Sequence, residues 1–218
     1  MERIPEPELM EDPEQARAYA LADFSEPHDA FVRHFSRLFP HFAHGRVLDL
    51  GCGAADVTIR FAHAYPQATL EGVDGAEPML QLGREAVARA GVDSRIVLRP
   101  LRLPAAALNG GYDAVISNSL LHHLARPATL WQAVARAARS GAPILVMDLL
   151  RPISRDAALG LVRLHAGDAA PVLARDFFKS LLAAYRPDEV ALQLRATGLT
   201  HLDVEVVSDR HWLVWGHV

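Results

Sequence analysis

The 218-residue sequence predicts a single α/β domain, a mostly parallel sheet covered on both faces by helices. Three observations predict it. Short apolar runs alternate with amphipathic runs long enough to be helices. The strand candidates are apolar at successive positions, as strands buried on both faces are. The composition, 50% hydrophobic and 22% charged, supplies one extensive core and argues against a second independent domain.

Residues 1–10 read as a flexible tail, because three glutamates and two prolines leave little to bury. Order is expected from Asp12-Pro13, a capping residue and a first-turn proline, so residues 11–218 form the domain. Ala16, Ala20 and Phe24 line one face of a first cap helix. Phe31, Phe35, Leu38 and Phe39 make the apolar stripe of a second. Both are expected over one end of the sheet. Strand and helix then alternate: strand 46–50, helix 57–65, strand 69–73, helix 78–90 with Gly91 as its stop, strand 96–98, strand 112–117, helix 128–140 ended by Gly141, and strand 144–149. After Leu150-Arg151-Pro152 the pattern changes to helices 157–165 and 174–185. A plain crossover needs far fewer residues, so 151–186 reads as a helical lid insertion. A helix starting at 187 and two strands, 202–207 and 212–217, close the chain as an antiparallel hairpin.

Lys and Arg total 22 against 26 Asp and Glu, a net charge of −4 with the basic residues dispersed, so no nucleic-acid surface is favoured. Cys52 is the only cysteine, which excludes an intrachain disulfide and a thiolate-rich metal site and fits a reducing, cytoplasmic setting. The amino terminus lacks the basic and apolar pattern of a secretion signal, and no apolar stretch is long enough for a membrane span. Oligomeric state is left open.

The most informative segment is residues 46–50 leading into Gly51-Cys52-Gly53-Ala54-Ala55, a strand that turns at small residues before a helix. Such a turn holds a nucleoside-bearing ligand against the backbone, and side chains at Gly51 or Gly53 would obstruct it. The ordinary alternative is a tight strand–helix junction without a ligand. Because Ala54 and Ala55 follow, the dinucleotide fingerprint is incomplete, which weakens hydride-transfer chemistry. Asp49 is read as orienting the turn amides or binding a ligand ammonium, since burying it unpartnered is expensive. Asp74 ends the second strand; ribose binding is favoured over a helix cap ahead of Glu77-Pro78.

Together these motifs resemble the class I S-adenosylmethionine-dependent methyltransferases. Residues 47–55 look like the first cofactor motif, 70–74 like the second-strand motif, 112–124 like the fourth-strand motif of small-molecule members, and 144–148 like the fifth strand. The resemblance implies a Rossmann-like fold with strand order 3-2-1-4-5-7-6 and the seventh strand antiparallel, and S-adenosyl-L-methionine as cofactor. It implies that Asp74 bonds the ribose hydroxyls, that Asn118 approaches the methionine end, and that Leu120 or Leu121 walls it. Many relatives carry an acid near adenine after the third strand, but this chain has Leu98-Arg99-Pro100-Leu101, so backbone groups there and packing by Leu101 are expected instead. Gly75 is a further candidate for the adenosine wall.

The transfer end follows from chemistry. Methyl transfer needs an electron-rich atom in line with the methyl group, and proximity and desolvation supply most of the benefit. His122 and His123 sit just past the fourth strand; one fixes the loop while the other faces solvent, or one acts as base, with His123 the better candidate. Asp148 and Arg151 position a polar substrate or form an ion pair at the lid hinge. Phe177 and Ser180 of the lid are expected to face inward, with Arg175 and Lys179 in solvent. A metal site from His122, His123, His165 and Asp148 is disfavoured, because adjacent histidines lack helical facing geometry. No metal is expected. The sequence thus predicts methyl transfer to a small-molecule nucleophile, the alternatives being an RNA or protein methyltransferase and a non-catalytic cofactor-sensing module.

Overall fold

The computed structural model describes residues 1–6 and 10–218. Its sheet has seven strands in the order β3-β2-β1-β4-β5-β7-β6. Strand β1 (His44–Leu50) lies parallel between β2 (Gln67–Asp74) and β4 (Ala114–Asn118). Strand β3 (Ile96–Pro100) extends the sheet beside β2, and β5 (Pro143–Leu149) beside β4, both parallel. The terminal hairpin, β6 (Asp203–Val206) and β7 (His211–His217), adds antiparallel to β5.

Alternation along each strand sorts the apolar side chains into two cores. Leu48, Leu50, Val115, Ile144 and Val146 join Trp131 and Leu194 on one face, where α5 (Ala128–Ala137) and α8 (Pro187–Ala196) lie. Val47, Ile116, Leu145 and Met147 join Phe31, Phe35 and Phe61 on the other. Every residue of β5 is buried, which explains why it reads as a continuous apolar run.

On the second face, α2 (Ser25–Leu38) packs against α3 (Asp56–Ala64), with the Phe35 ring edge-on to Phe61 at 4.8 Å and to Tyr65 at 5.6 Å. This helix therefore covers the sheet face, whereas the sequence placed it over one end; its Phe31–Phe35 stripe fits the aromatic surface of α3 better than a polar opening. Helix α1 (Pro13–Leu21) does sit at that end. Asp12 caps it by accepting from the amides of Glu14 and Gln15. It buries Ala16 and brings Tyr19 against Ala76 and Met79 of the turn into α4 (Glu77–Ala90), while Ala20, expected inside, is exposed. Helix α4 ends at Gly91, whose φ of +67° is the left-handed cap glycine favours.

The insertion after β5 forms α6 (Arg155–Ala166) and α7 (Pro171–Ala183), which pack together on Leu149. Residues 1–6, read from sequence as part of a tail, run along α7. The Ile4 amide donates to the Leu182 carbonyl at 2.9 Å, and Arg3 donates to the carbonyls of Ala183 and His122 at 2.5 and 2.8 Å. Residues 7–9 of that expected tail lie outside the described residues. Among the described residues no helix is long and apolar enough to cross a membrane.

Candidate active site

The parallel strands end together at one edge of the sheet, and the strand order reverses between β1 and β4, the point at which open α/β sheets take up ligands. At the end of β1 the chain turns through Gly51 (φ +74°) and Gly53 (φ +52°). The amides of Gly51 and Cys52 donate to the Val73 carbonyl at 2.8 and 3.1 Å, pinning the turn to β2. A Cβ on Gly51 would stand 2.9 Å from the Leu120 side chain, so the glycine lets Leu120 close over the turn. Gly72 does the same for Cys52, since a Cβ there would lie 2.9 Å from its sulfur. Burial raises the Cys52 thiol well above its ordinary range and leaves it an inert packing group.

Asp74 ties two loops. Its carboxylate accepts from the Gly53 amide at 2.9 Å and the Ala76 amide at 2.8 Å. Burial raises its pKa against these amides and that of Gly75. It thus braces the glycine turn and the approach to α4 at once. The Leu101 amide donates to the Asp74 carbonyl at 2.8 Å, bringing Leu101 and Gly75 beside the same acid. Arg99 and Glu71 are committed elsewhere: they pair with each other, and the Tyr112 hydroxyl donates to Glu71 at 2.7 Å.

Asp49 accepts from the Thr58 hydroxyl at 2.6 Å, fastening the first turn of α3 to β1. Burial pushes its carboxyl up to about 7. Asn118, at the end of β4, has a buried amide oxygen with no hydrogen-bond partner, so a donor from a ligand would satisfy it. The following Ser119 has φ +55°, which turns the chain toward the Leu120 side chain.

The histidines occupy a 3-10 turn, Leu121–His123, that β5 and α7 hold in place. Asp148 is 1% exposed and accepts from the Leu121 amide at 2.6 Å, the Leu149 amide at 2.6 Å and His122 Nδ1 at 2.5 Å. It is a positioning group for the turn, its carboxylate saturated by protein donors. Burial would lower the His122 pKa, but Asp148 and Glu6 outweigh it and raise it; the same contact holds Asp148 below its ordinary value against burial. Glu6 comes within 3.5 Å of His122 Nε2 and 3.4 Å of His123 Nδ1, and accepts from the Ser180 hydroxyl at 2.8 Å. Gln15 donates to Asp176 at 2.6 Å, latching α1 to α7.

The structure thus sets Asp49, Gly51, Gly53, Asp74, Gly75, Leu101, Asn118 and Leu120 at or just beyond the carboxyl ends of β1, β2, β3 and β4, with His122, His123 and Ser180 grouped by Glu6. Others fall outside these groups. Arg151 donates to Glu189 at 2.6 Å and to the Ala184 carbonyl, so it pairs with Glu189 and not with Asp148, the ion-pair partner the sequence offered it. Phe177 packs with Leu181 and Leu182, and Arg175 and Lys179 are exposed. His165 pairs with Asp209 at 2.7 Å, apart from the other histidines. Sequence reasoning missed Glu6, Gln15 and Tyr19, which carry no local signal. Thr58 was findable, since it follows Asp49 by nine residues in the first turn of the adjoining helix.

Comparison with known proteins agrees with this geometry. Residues 47–142 match a family described as a methyltransferase domain. The chain is 32% identical over 113 residues to trans-aconitate 2-methyltransferase of Deinococcus radiodurans, covering 50% of this chain and 41% of that one. It is 30% identical over 178 residues to 27-O-demethylrifamycin SV methyltransferase of Amycolatopsis mediterranei, covering 78% and 60%. Ribosomal RNA small subunit methyltransferase C of Shigella flexneri is 33% identical over 87 residues, covering 40% and 24%. The matched stretch thus spans under two thirds of each of these three relatives. Among solved structures, a SAM-dependent methyltransferase from Aquifex aeolicus superposes with a TM-score of 0.68 at 17% identity, covering 94% of this chain and 97% of that one, a likeness of fold. By its sheet order, its glycine turn and its likeness to solved structures, the chain has the class I S-adenosylmethionine-dependent methyltransferase fold, and several small-molecule methyltransferases are among its relatives.

Proposed function

We propose that this protein transfers a methyl group from S-adenosylmethionine to a small-molecule nucleophile. The observation that carries the reading is the roof over the transfer end: residues 1–6 and α1 are each hydrogen-bonded to α7, and residues 1–6 to the histidine turn, a covered end that suits a compact acceptor better than a polymer. The chain's own groups fit the cofactor. Asn118 offers a buried oxygen lacking a donor, Gly51 leaves the backbone bare, and Asp74 stands at the end of β2 where a ribose would meet it.

When bound, S-adenosylmethionine supplies a methyl group activated on a sulfonium. Asp74 accepts from the ribose hydroxyls, and Leu120 and Leu101 wall the crevice. Asp148 fixes the turn that carries His122 and His123 at the acceptor side. Glu6 and Ser180 close that side while Tyr19 covers the turn into α4, so alignment and desolvation do most of the work. Burial pushes the Tyr19 hydroxyl up to about 12, keeping it a neutral hydrogen-bonding group.

Calorimetry with S-adenosylmethionine followed by a metabolite screen tracing labelled methyl groups tests the reading. Tight binding and transfer to one metabolite is the expected result. Folded protein that fails to bind S-adenosylmethionine would overturn it. Label appearing only in ribosomal RNA or protein would replace the acceptor class, and binding without transfer would make the chain a sensing module.

A further inference from the structure

The two histidines of the 3-10 turn converge although they are adjacent in sequence. Their ring centroids lie 4.1 Å apart, and Glu6 reaches into the gap from the opposite end of the chain. One ligand atom from each of Glu6, His122 and His123 falls within 4.8 Å of the other two. Glu6 Oε1 is 3.5 Å from His122 Nε2 and 3.4 Å from His123 Nδ1. Donors about 2.0–2.1 Å from a tetrahedral ion stand roughly 3.3–3.4 Å apart, so both Glu6 separations match a shared ion, and the imidazole donors lie within 4.8 Å of each other.

The surroundings have the form of a metal site. His122 contacts Asp148 through Nδ1 at 2.5 Å, which turns Nε2 toward Glu6; a carboxylate behind a ligating imidazole fixes its tautomer and raises its basicity. The Ser180 hydroxyl donates to that same Glu6 Oε1 at 2.8 Å and fixes where it points. The side chains of Glu6 and His122 are 9% and 3% exposed, whereas His123 at 27% leaves an approach from solvent.

We propose that Glu6, His122 and His123 bind a divalent first-row transition ion of the zinc class. Two imidazoles and one carboxylate are a donor set that favours such an ion over magnesium or calcium, and three protein ligands leave a coordination position open. That position faces the transfer end and would take an oxygen or nitrogen of the acceptor. The ion's binding stands independently of methyl transfer, while its role toward the acceptor rests on the proposed function.

Zinc titration of the full chain without a histidine tag, by calorimetry and by absorption of the cobalt-substituted protein, tests this. One equivalent should bind, with the intense visible bands of tetrahedral cobalt. Glu6→Gln and His123→Gln should each weaken zinc affinity by more than the roughly 10–100-fold that losing an outer-sphere partner costs. Thermal unfolding verifies that both variants fold, and His165→Gln should leave the affinity unchanged. Absence of stoichiometric binding, or binding indifferent to Glu6→Gln and His123→Gln, would overturn the site. Zinc binding that persists where no methyl transfer is found would keep the site and discard only its role toward the acceptor.

Discussion

Asp74 meets the Gly53 amide across 21 residues of chain, whereas Ser180 meets Glu6 across 174 and Arg3 meets the His122 carbonyl across 119. The cofactor end is built from consecutive βα units and backbone amides; the transfer end is built from side chains delivered by the amino terminus, β5 and the lid. Their failure modes should differ accordingly. Damage at the cofactor end costs ligand affinity, because the turn is pinned to β2 by its own backbone. Damage at the transfer end costs the fold or the roof, because its contacts are tertiary.

The sharpest test of this contrast is Asp148→Ala. It strands His122 and two amides in a buried setting, so unfolding free energy should fall by about 3–5 kcal/mol, the usual cost of breaking a buried pair. A urea curve within 1 kcal/mol of wild type, on the order of an exposed pair, would break the comparison.

Next comes pH, on which the two ends respond with opposite sign. Burial holds the folded Asp49 carboxyl at about 7, above its unfolded value, so its contribution is complete below about pH 4 and lost as pH rises through 7. His211, at the start of β7 beside the lid hinge, is lowered by burial and Arg210 to about 4. Its contribution is complete above about pH 6.5 and lost as pH falls through 4. Each amounts to about 3–4 kcal/mol over its window. Urea unfolding between pH 4 and 8 should show Asp49→Asn gaining on wild type as pH rises and His211→Gln gaining as pH falls. Curves parallel to wild type would reject the assignments.

Asp74→Ala should lower S-adenosylmethionine affinity by about 1.5–3 kcal/mol, the value of hydrogen bonds to a charged group, with a smaller effect on unfolding. Calorimetry showing unchanged affinity would remove Asp74 from the ribose site. The smallest effect is expected for Gln15→Ala, which opens the α1–α7 latch at a cost of about 1 kcal/mol. Limited proteolysis should then cut the amino-terminal segment sooner while cofactor affinity holds.

Legibility follows the same division. The glycines, Asp49, Asp74 and the strand pattern could be read because each acts on chain within a few dozen residues, through φ angles, caps and period-two burial. The phase of α1 could not: Ala20 and Tyr19 both suit a helix face, and packing on Ala76 and Met79 chose Tyr19. Asp148 and Arg151 could be read as holding a polar substrate or as an ion pair with each other at the lid hinge, yet protein donors occupy one and Glu189 pairs the other.

The order of apolar runs, the turn at residues 51–55 and the acid at 74 determined the α/β sheet and its methyltransferase-like fold from sequence alone. Only the tertiary structure brought Glu6 to the paired histidines and set Asp148 behind one of them. The reason is physical: periodicity and backbone sterics are short-range and leave a trace in neighbouring residues. A meeting of side chains more than a hundred residues apart is decided by how whole layers pack, and leaves none.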